Sequence, residues 1–205
     1  MSVLQALRET DPEYTDVVKK MKDSIVSHRN GIPLSDYVVT KVEKVVNLVL
    51  ESQHKSTIEM IKMEMSKEDE ANAQTLHLYH GSPNAHKIAQ NGFNVEFSAS
   101  QNMFGKGIYF AALSSKSNQY AWGNNAGCPQ HRSRSCCVCP RQLLLCECFM
   151  GRPFKPTRAN EPVPRGFHSV IAEPANVPSL RYPEYAILNN AQALPQYLIT
   201  YNIKP

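Results

Sequence analysis

The sequence predicts an α+β fold, because helical patterns come first and a second part made mainly of short strands follows. Up to about residue 71, apolar side chains recur at helical spacing, interrupted by one valine-rich run. From residue 75 onward, short apolar runs alternate with turn residues. The 205 residues, with 42% hydrophobic composition, suffice for one compact core, so we expect a single domain over residues 1–205.

The first helix is predicted to start at Asp11-Pro12-Glu13. Aspartate is a capping residue, proline favours the first helical position, and an acidic residue stabilises the positive end of the helix dipole. The apolar residues of one helix face follow at helical spacing: Val17, Val18, Met21, Ile25 and Val26. The run from Asn30 to Pro33 predicts the loop that ends this helix.

The valine-rich run over 37–46 predicts a strand, and the charged run over 48–71 predicts a second helix whose polar last part should fray. Six further strands and two short helices are expected beyond it. The strands cover 76–80, 107–111, 142–150, 168–172, 184–188 and 197–203, and the helices lie near 85–89 and 114–120.

Composition and charge exclude several classes of protein. No segment approaches the roughly 18 consecutive apolar residues of a membrane helix, and the first residues lack the pattern of a secretory signal. The net charge is +4, but the basic residues are spread along the chain and form no concentrated stripe of the kind that binds nucleic acid. We therefore expect a soluble intracellular protein, cytoplasmic, nuclear or both, without a membrane partner. Its mild positive charge would assist capture of an anionic ligand such as a dinucleotide.

A metal-binding pattern lies in the cysteine-rich stretch. Two close pairs on a short loop give the spacing C-x₂-H-x₄-C-x₂-C and the four ligands of a tetrahedral zinc site: Cys128, His131, Cys136 and Cys139. Cys137 is a poorer ligand candidate, because only Cys136 leaves two residues before Cys139. Four protein ligands leave no open position, so the zinc should be structural; the alternative is a cluster of free or oxidised thiols. Cys146 and Cys148 alternate along a predicted strand and are expected to be buried core thiols.

Three segments carry residues typical of a nucleotide site. The first, Tyr79-His80-Gly81-Ser82-Pro83, predicts a strand that runs into a turn, although a histidine there is, taken alone, more often structural. The second covers residues 103–111 and is followed by the run SSKSNQY over 114–120. The third is Tyr182-Pro183-Glu184-Tyr185. Glu184 precedes an apolar run there, and is either partly desolvated or an ordinary charge at a strand end.

The motifs HGSP, MFGKGIYFA, SSKSNQY and PEY, in this order, resemble the catalytic domain of poly(ADP-ribose) polymerases. The resemblance covers about residues 11–203 and is closest to the tankyrases, in SSKSNQY, in the zinc loop CPxHxxRSCxxCxRQ and in the closing PxYLITYxI. It implies an ADP-ribosyltransferase fold, with two packed, mainly antiparallel sheets, flanking helices and a zinc-binding loop at 128–139. It also implies an enzyme that cleaves NAD⁺ and transfers ADP-ribose to protein acceptors, possible automodification included.

By this resemblance, the catalytic triad of the family falls on His80, Tyr109 and Glu184. His80 would bind a ribose hydroxyl of NAD⁺, and Tyr109 would line one side of the nicotinamide. Glu184 would bind the 2′-hydroxyl of the nicotinamide ribose and orient the acceptor. A carboxylate at that place stabilises the oxocarbenium-like sugar that forms as nicotinamide leaves.

The same resemblance implies further contacts to NAD⁺. The backbone of Gly81 and the hydroxyl of Ser117 would bind the nicotinamide amide, and Tyr120 would stack on its ring. Ser82 would contact the adenosine ribose. Phe97 stands where tankyrases usually have a histidine, in a loop that forms one wall of the nucleotide groove in the family.

Glu184 favours polymer formation, because mono-transferases of the family often carry an apolar residue in its place. Mono-transfer or NAD⁺ hydrolysis is the alternative within the same chemistry, and a non-catalytic binding module is the alternative of another class. The residues before His80 are too few for the helical regulatory subdomain of DNA-dependent polymerases. We therefore expect no direct DNA requirement.

Overall fold

The structure is a computed structural model that describes residues 3–29, 31–99 and 101–205. Asn30, in the loop predicted after the first helix, and Ser100 lie outside the described residues, as do the first two. The helices are α1 (Pro12–Asp23), α2 (Leu48–Glu64), α3 (Lys67–Asn72), α4 (Ala85–Asn91) and α5 (Ser114–Asn118). The strands are β1 (Val3–Ala6), β2 (Asp36–Val46), β3 (Thr75–Gly81), β4 (Ile108–Phe110), β5 (Arg141–Phe149), β6 (Pro153–Phe154), β7 (Ser169–Ala172), β8 (Glu184–Ile187) and β9 (Ala193–Lys204).

The strands form two sheets, which confirms the predicted α+β class. The five-stranded sheet has the order β1-β2-β9-β5-β3, and all of its pairs are antiparallel. The four-stranded sheet has the order β4-β8-β7-β6, and only its β6–β7 pair is parallel. Tyr79 and Ala111 link the two sheets through two backbone hydrogen bonds of 2.8 and 3.0 Å. This link lies one residue before His80 and so brings β3 against the end of β4.

The main hydrophobic core contains residues of both sheets and of α4. Its members are fully or nearly fully buried, and they include Leu78, Leu144 and Leu198 of the larger sheet, Ile108, Phe110 and Ile187 of the smaller one, and Ala85 and Ala89 of α4. Cys146 and Cys148 belong to the same core and are free thiols, as the sequence predicted. A second core forms where Val17 and Met21 of α1 pack on the larger sheet.

The start and end of α1 differ from the prediction. Asp11 stands at the N-cap, but its carboxylate bonds no N–H group of the helix. It accepts instead from the backbone N–H of Arg8 at 2.8 Å and from the Arg8 guanidinium at 3.0 and 3.2 Å. The helix ends at Asp23, so Ile25 and Val26 follow it in extended or irregular backbone. The charged Arg8 thus competes successfully for the capping carboxylate.

The long second helix is broken, where the sequence predicted only fraying. α2 ends before Met65, and the hydroxyl of Ser66 accepts a hydrogen bond of 3.1 Å from the N–H of Asp69, which caps α3. A serine that caps its own helix competes with continuation of the preceding one. The short strands β1 and β6 were not predicted, because four and two residues carry too little alternation. Within the described ranges, no helix is long and apolar enough to cross a membrane.

Candidate active site

A groove of about 930 Å³ lies where the two sheets meet. Five of the seven residues predicted to bind NAD⁺ or to act in catalysis line it: His80, Gly81, Ser82, Tyr109 and Tyr120. The loop after α4 contributes Asn94, Phe97, Ser98, Ala99 and Asn102 to the groove. The hydroxyl of Ser98 accepts hydrogen bonds from the Gly107 N–H and the Asn102 amide, which ties this loop to the start of β4.

His80 is held by its neighbours in one tautomer. Its Nδ1 lies 2.8 Å from the carbonyl oxygen of Tyr109, which can only accept, so Nδ1 carries the proton and Nε2 is the acceptor nitrogen. The rings of Phe93 and Phe110 pack against the imidazole at centroid distances of 5.1 and 5.4 Å. Burial lowers the pKa of His80 from its ordinary value of 6.5, and the bond to Tyr109 only partly opposes this. At neutral pH the imidazole is therefore uncharged.

The hydroxyl of Tyr109 fixes the turn that precedes β4. It accepts a hydrogen bond of 2.9 Å from the Phe104 N–H and donates one of 2.9 Å to the Gly105 carbonyl. Burial raises the pKa of Tyr109 to about 12; the Phe104 N–H opposes this rise and the charge of Glu184 adds to it. The phenol therefore stays protonated, and its ring is presented to the groove by a fixed backbone.

Gly81 lies against α5 with no room for a side chain. A Cβ at this position would stand 1.9 Å from the Ser117 carbonyl oxygen and 3.3 Å from the Tyr120 Cβ. Ser117 itself is buried outside the lining of the groove, and its hydroxyl donates to the Tyr79 carbonyl at 2.9 Å. The close approach holds the backbone of Gly81, Ser117 and the ring of Tyr120 at one end of the groove.

Glu184, the first residue of β8, does not line the groove but lies beside it. Its Oε1 is 2.8 Å from the Nζ of Lys116, and the two side chains are only 20% and 16% exposed. Lys116 also donates to the carbonyl oxygens of Tyr182 and Pro183 at 3.5 and 3.3 Å. Sequence reasoning missed Lys116, although its place directly before Ser117 in SSKSNQY was an available signal.

The carboxylate of Glu184 acts electrostatically on two of the rings that line the groove. Its negative charge contributes to the raised pKa of Tyr109 and, after the larger effect of burial, to that of Tyr120. Tyr120 is 44% exposed, so one face of its ring is accessible from the groove. An uncharged histidine and two tyrosines thus line the groove, and the charge of a carboxylate outside its lining acts on both tyrosines.

The four predicted metal ligands form a second site on the loop before β5. Their ligand atoms all lie within 4.8 Å of one another: Cys128, His131, Cys136 and Cys139. His131 Nδ1 is 3.6, 3.4 and 3.4 Å from the three sulfur atoms. Zinc–sulfur bonds of about 2.3 Å and zinc–nitrogen bonds of about 2.0 Å imply a sulfur–nitrogen distance of about 3.5 Å in a tetrahedron. The cluster therefore fits a zinc ion, and the exposed Cys137 stands outside it.

The thiols of this cluster differ in their readiness to ionise. Burial tends to raise the pKa of Cys128, but hydrogen bonds from Ser133 and His131 outweigh this effect and lower the pKa to about 6. Burial and the neighbouring sulfurs raise the pKa of Cys139 to about 11. Three adjacent thiolates repel one another, and a divalent cation would remove that penalty.

A model of the poly(ADP-ribose) polymerase catalytic domain matches residues 11–179, more than half of the chain. The chain belongs to this family. It is therefore an NAD⁺ ADP-ribosyltransferase, with NAD⁺ as its substrate and proteins as its acceptors. The matched residues of this poly(ADP-ribose) polymerase domain include His80, Tyr109 and the metal cluster. Glu184 lies beyond the last matched residue, so its part in the site depends on the geometry described above.

Proposed function

We propose that this domain is a tankyrase-like poly-ADP-ribosyltransferase, which transfers ADP-ribose to protein acceptors and to the growing polymer. The observation that carries the proposal is the convergence of His80, Tyr109 and Tyr120 on one groove, with the Glu184 carboxylate beside the two tyrosines. These residues come from four separate segments. A solely structural role for each would not require them to meet at one cleft.

In this proposal, NAD⁺ lies along the groove with nicotinamide at the Gly81 end. The free Nε2 of His80 accepts a hydrogen bond from a ribose hydroxyl, which an uncharged imidazole allows. The backbone of Gly81 binds the carboxamide, and the Ser117 hydroxyl, which donates its proton to the Tyr79 carbonyl, accepts a hydrogen bond from the carboxamide NH₂ group. Tyr120 and Tyr109 hold the flat ring between them. Ser82, which also lines the groove, contacts the adenosine ribose.

Glu184 supplies the charge for the chemical step. The bond between the anomeric carbon and the nicotinamide nitrogen breaks, and nicotinamide leaves as a neutral molecule without needing a proton. The sugar becomes oxocarbenium-like, and a nearby carboxylate that binds the 2′-hydroxyl stabilises this positive charge. An acceptor oxygen then bonds to the anomeric carbon, and any proton that it carries passes to Glu184.

The proposal also includes a structural zinc site at the metal cluster. The whole chain, residues 1–205, is a single domain in this proposal. Its loop spans 128–139, and the ligands are Cys128, His131, Cys136 and Cys139. All four positions of a tetrahedron are filled by protein, so no step of the reaction passes through the metal. The six free cysteines are compatible with the intracellular location, in cytoplasm or nucleus, that we expect. We also expect turnover without DNA.

Incubation with NAD⁺ labelled in its adenylate, followed by a denaturing gel, tests the proposal. A poly-transferase gives a smear of high apparent mass, and a mono-transferase gives a sharp band. An NAD⁺ hydrolase gives free nicotinamide without labelled protein, and a binding module gives neither. Addition of nicked DNA should leave the smear unchanged. A sharp band that does not lengthen with time would reduce the proposal to mono-transfer.

A further inference from the structure

Arg141, the first residue of β5, is a buried cation, with only 2% of its surface exposed. Among the described residues, no carboxylate forms an ion pair with it. Its Nη2 donates instead to the carbonyl oxygens of Arg134 and Cys136 at 2.6 and 3.3 Å. A buried guanidinium needs a compensating negative charge, because removal from water disfavours an isolated ion.

The loaded metal cluster can supply that charge. One zinc ion, three thiolates and a neutral histidine carry a net charge of −1. The guanidinium lies close to the cluster, because its Nη2 bonds the carbonyl oxygen of Cys136, which is itself one of the ligands. The two bonded carbonyls also belong to the metal loop. Arg141 is thus bound to this loop by hydrogen bonds and by opposite charge.

The Arg141 guanidinium also contacts the single tryptophan of the chain. The Cζ atom of Arg141 lies 3.7 Å from the centroid of the Trp122 ring, a close cation–π contact. The Trp122 indole also donates to the Pro140 carbonyl at 3.4 Å. Because both contacts come from residues directly after Cys139, the end of the metal loop sets the position of Trp122.

Trp122 lies two residues after Tyr120, in a continuous series of turns that follows α5. The N–H groups of Tyr120, Ala121 and Gly123 donate to carbonyls three residues earlier, at 3.0, 3.3 and 2.9 Å. Ala121 between the two rings is buried. A shift of Trp122 is therefore transmitted over one turn to Tyr120, which borders the groove.

We propose that Arg141 is a positioning residue that couples the metal loop to Tyr120, through the stacked ring of Trp122. The inference rests on the proposed function, because it takes Tyr120 as the ring that stacks on nicotinamide. It predicts that metal and nicotinamide bind cooperatively: a loaded cluster holds Arg141, and Arg141 holds Trp122 and Tyr120. The coupling is reciprocal, so nicotinamide should raise the affinity for zinc by the same factor, as measured at equilibrium against a competing chelator.

The experiment measures nicotinamide binding to the full chain by calorimetry, with zinc loaded and after chelation. Elemental analysis gives the zinc content of each sample, and the emission of Trp122 reports the stacked ring. For the wild-type chain, chelation should shift this emission to longer wavelength. It should also weaken nicotinamide binding about tenfold, which corresponds to loss of one close cation–π contact.

Two variants break the coupling at different points. Arg141→Met removes the cation, and Trp122→Leu removes the ring while leaving the bonds of Arg141 to the loop. Both should bind nicotinamide about tenfold more weakly than wild type. Trp122→Leu should still contain one zinc ion per chain, and chelation should weaken its nicotinamide binding no further. Arg132→Met is the matched control, since Arg132 is an exposed arginine of the same loop, and it should behave as wild type.

The outcomes separate the inference from the proposed function. The proposed coupling through Trp122 is wrong if zinc-loaded Trp122→Leu binds nicotinamide as tightly as the wild-type chain does. It is also wrong if chelation weakens nicotinamide binding by this variant as much as it weakens binding by the wild-type chain. This holds even if Arg141→Met does not fold. If the zinc-loaded wild-type chain shows no saturable nicotinamide binding, it is the assignment of the groove to NAD⁺ that fails.

Discussion

The ammonium group of Lys116 on α5 lies 2.8 Å from the carboxylate of Glu184 at the start of β8. The two residues are 68 positions apart in the sequence, and water is largely excluded from both side chains. Ion pairs of this kind are screened less than pairs on the surface. The lysine also donates hydrogen bonds to two carbonyl oxygens of the segment that leads into β8. It therefore positions both the carboxylate of Glu184 and the backbone that precedes it.

Replacement of Lys116 by methionine should lower kcat far more than it raises the KM for NAD⁺. Without its partner, the carboxylate loses its fixed orientation toward the sugar, and we expect a loss of roughly 10- to 100-fold in kcat. Steady-state kinetics of ADP-ribose transfer measures this, with Lys55→Met on the exposed face of α2 as the control. Arg at position 116 should restore part of the rate. Equal losses in binding and in turnover would show that Lys116 does not act through Glu184.

Alanine at Gly81 should block the nicotinamide end of the groove. Its methyl group would stand 1.9 Å from the Ser117 carbonyl, so β3 or α5 must move. We expect a loss of about 1–3 kcal/mol in the free energy of unfolding, and at least about tenfold weaker nicotinamide binding. Denaturant unfolding and calorimetry measure the two effects. Gly105→Ala is the comparison, because no atom stands within 4 Å of a Cβ there and only its positive φ of 79° is strained; it should lose stability but keep most of its nicotinamide affinity.

NAD⁺ binding should weaken through protonation of His80 as the pH falls below the ordinary histidine pKa of 6.5. Burial lowers the pKa of His80 in the folded chain from 6.5. As the pH falls, the unfolded chain is therefore protonated at His80 before the folded chain is. The stability from the neutral ring is thus complete above pH 6.5 and is lost as the pH falls through the folded-state pKa. The dissociation constant of NAD⁺ can be measured against pH in a Glu184→Gln background, which suppresses turnover. His86→Gln should still lose NAD⁺ affinity as the pH falls, whereas the affinity of His80→Gln should no longer depend on pH in this range. If the affinity changes at a pH centred above 6.5, the imidazole is not neutral at neutral pH and the assignment is contradicted.

Serine at Cys136 should remove the metal, whereas serine at the adjacent Cys137 should not. Only Cys136 has its sulfur within the four-ligand cluster, and Cys137 points to solvent. Elemental analysis of the purified variants should give less than one zinc ion per chain for Cys136→Ser and one for Cys137→Ser. The Tm of Cys136→Ser should fall to that of the chelated wild-type protein, because binding energy of the metal is folding energy. A metal content that falls with Cys137→Ser would show that the ligand set is misassigned.

The order of elements could be predicted from the sequence because most of them carry their own local signal. The strand at 142–150 has apolar residues at seven of its nine positions, as a largely buried strand should, and β5 occupies nearly the same residues. The break between α2 and α3 was not foreseen as a break, since charged residues continue across Met65 and only Ser66 marks the new start. Asp11 is the N-cap residue of α1, as predicted, but its carboxylate accepts hydrogen bonds from Arg8 and none from the helix.

The residues of the candidate site were likewise predictable only in part. His80, Gly81 and Tyr109 lie in motifs that resemble those of the polymerase family, so the resemblance could predict that they line one groove. The partners of charged residues could not, because they depend on which distant elements pack together. Nothing near Lys116 in the sequence indicates Glu184, and nothing near Arg141 indicates that it is buried on Trp122. Such contacts follow from tertiary packing alone.

The most direct test of the account compares Glu184→Gln with wild type in two measurements, the dissociation constant for NAD⁺ and kcat for ADP-ribose transfer. The amide retains the size of the carboxylate and removes its charge, so NAD⁺ should bind within about threefold of wild type while kcat falls roughly 100- to 1,000-fold. Glu59→Gln, at an exposed position on α2, is the control. Unchanged turnover, or equal losses of affinity and turnover, would contradict the role of this carboxylate at the cationic sugar.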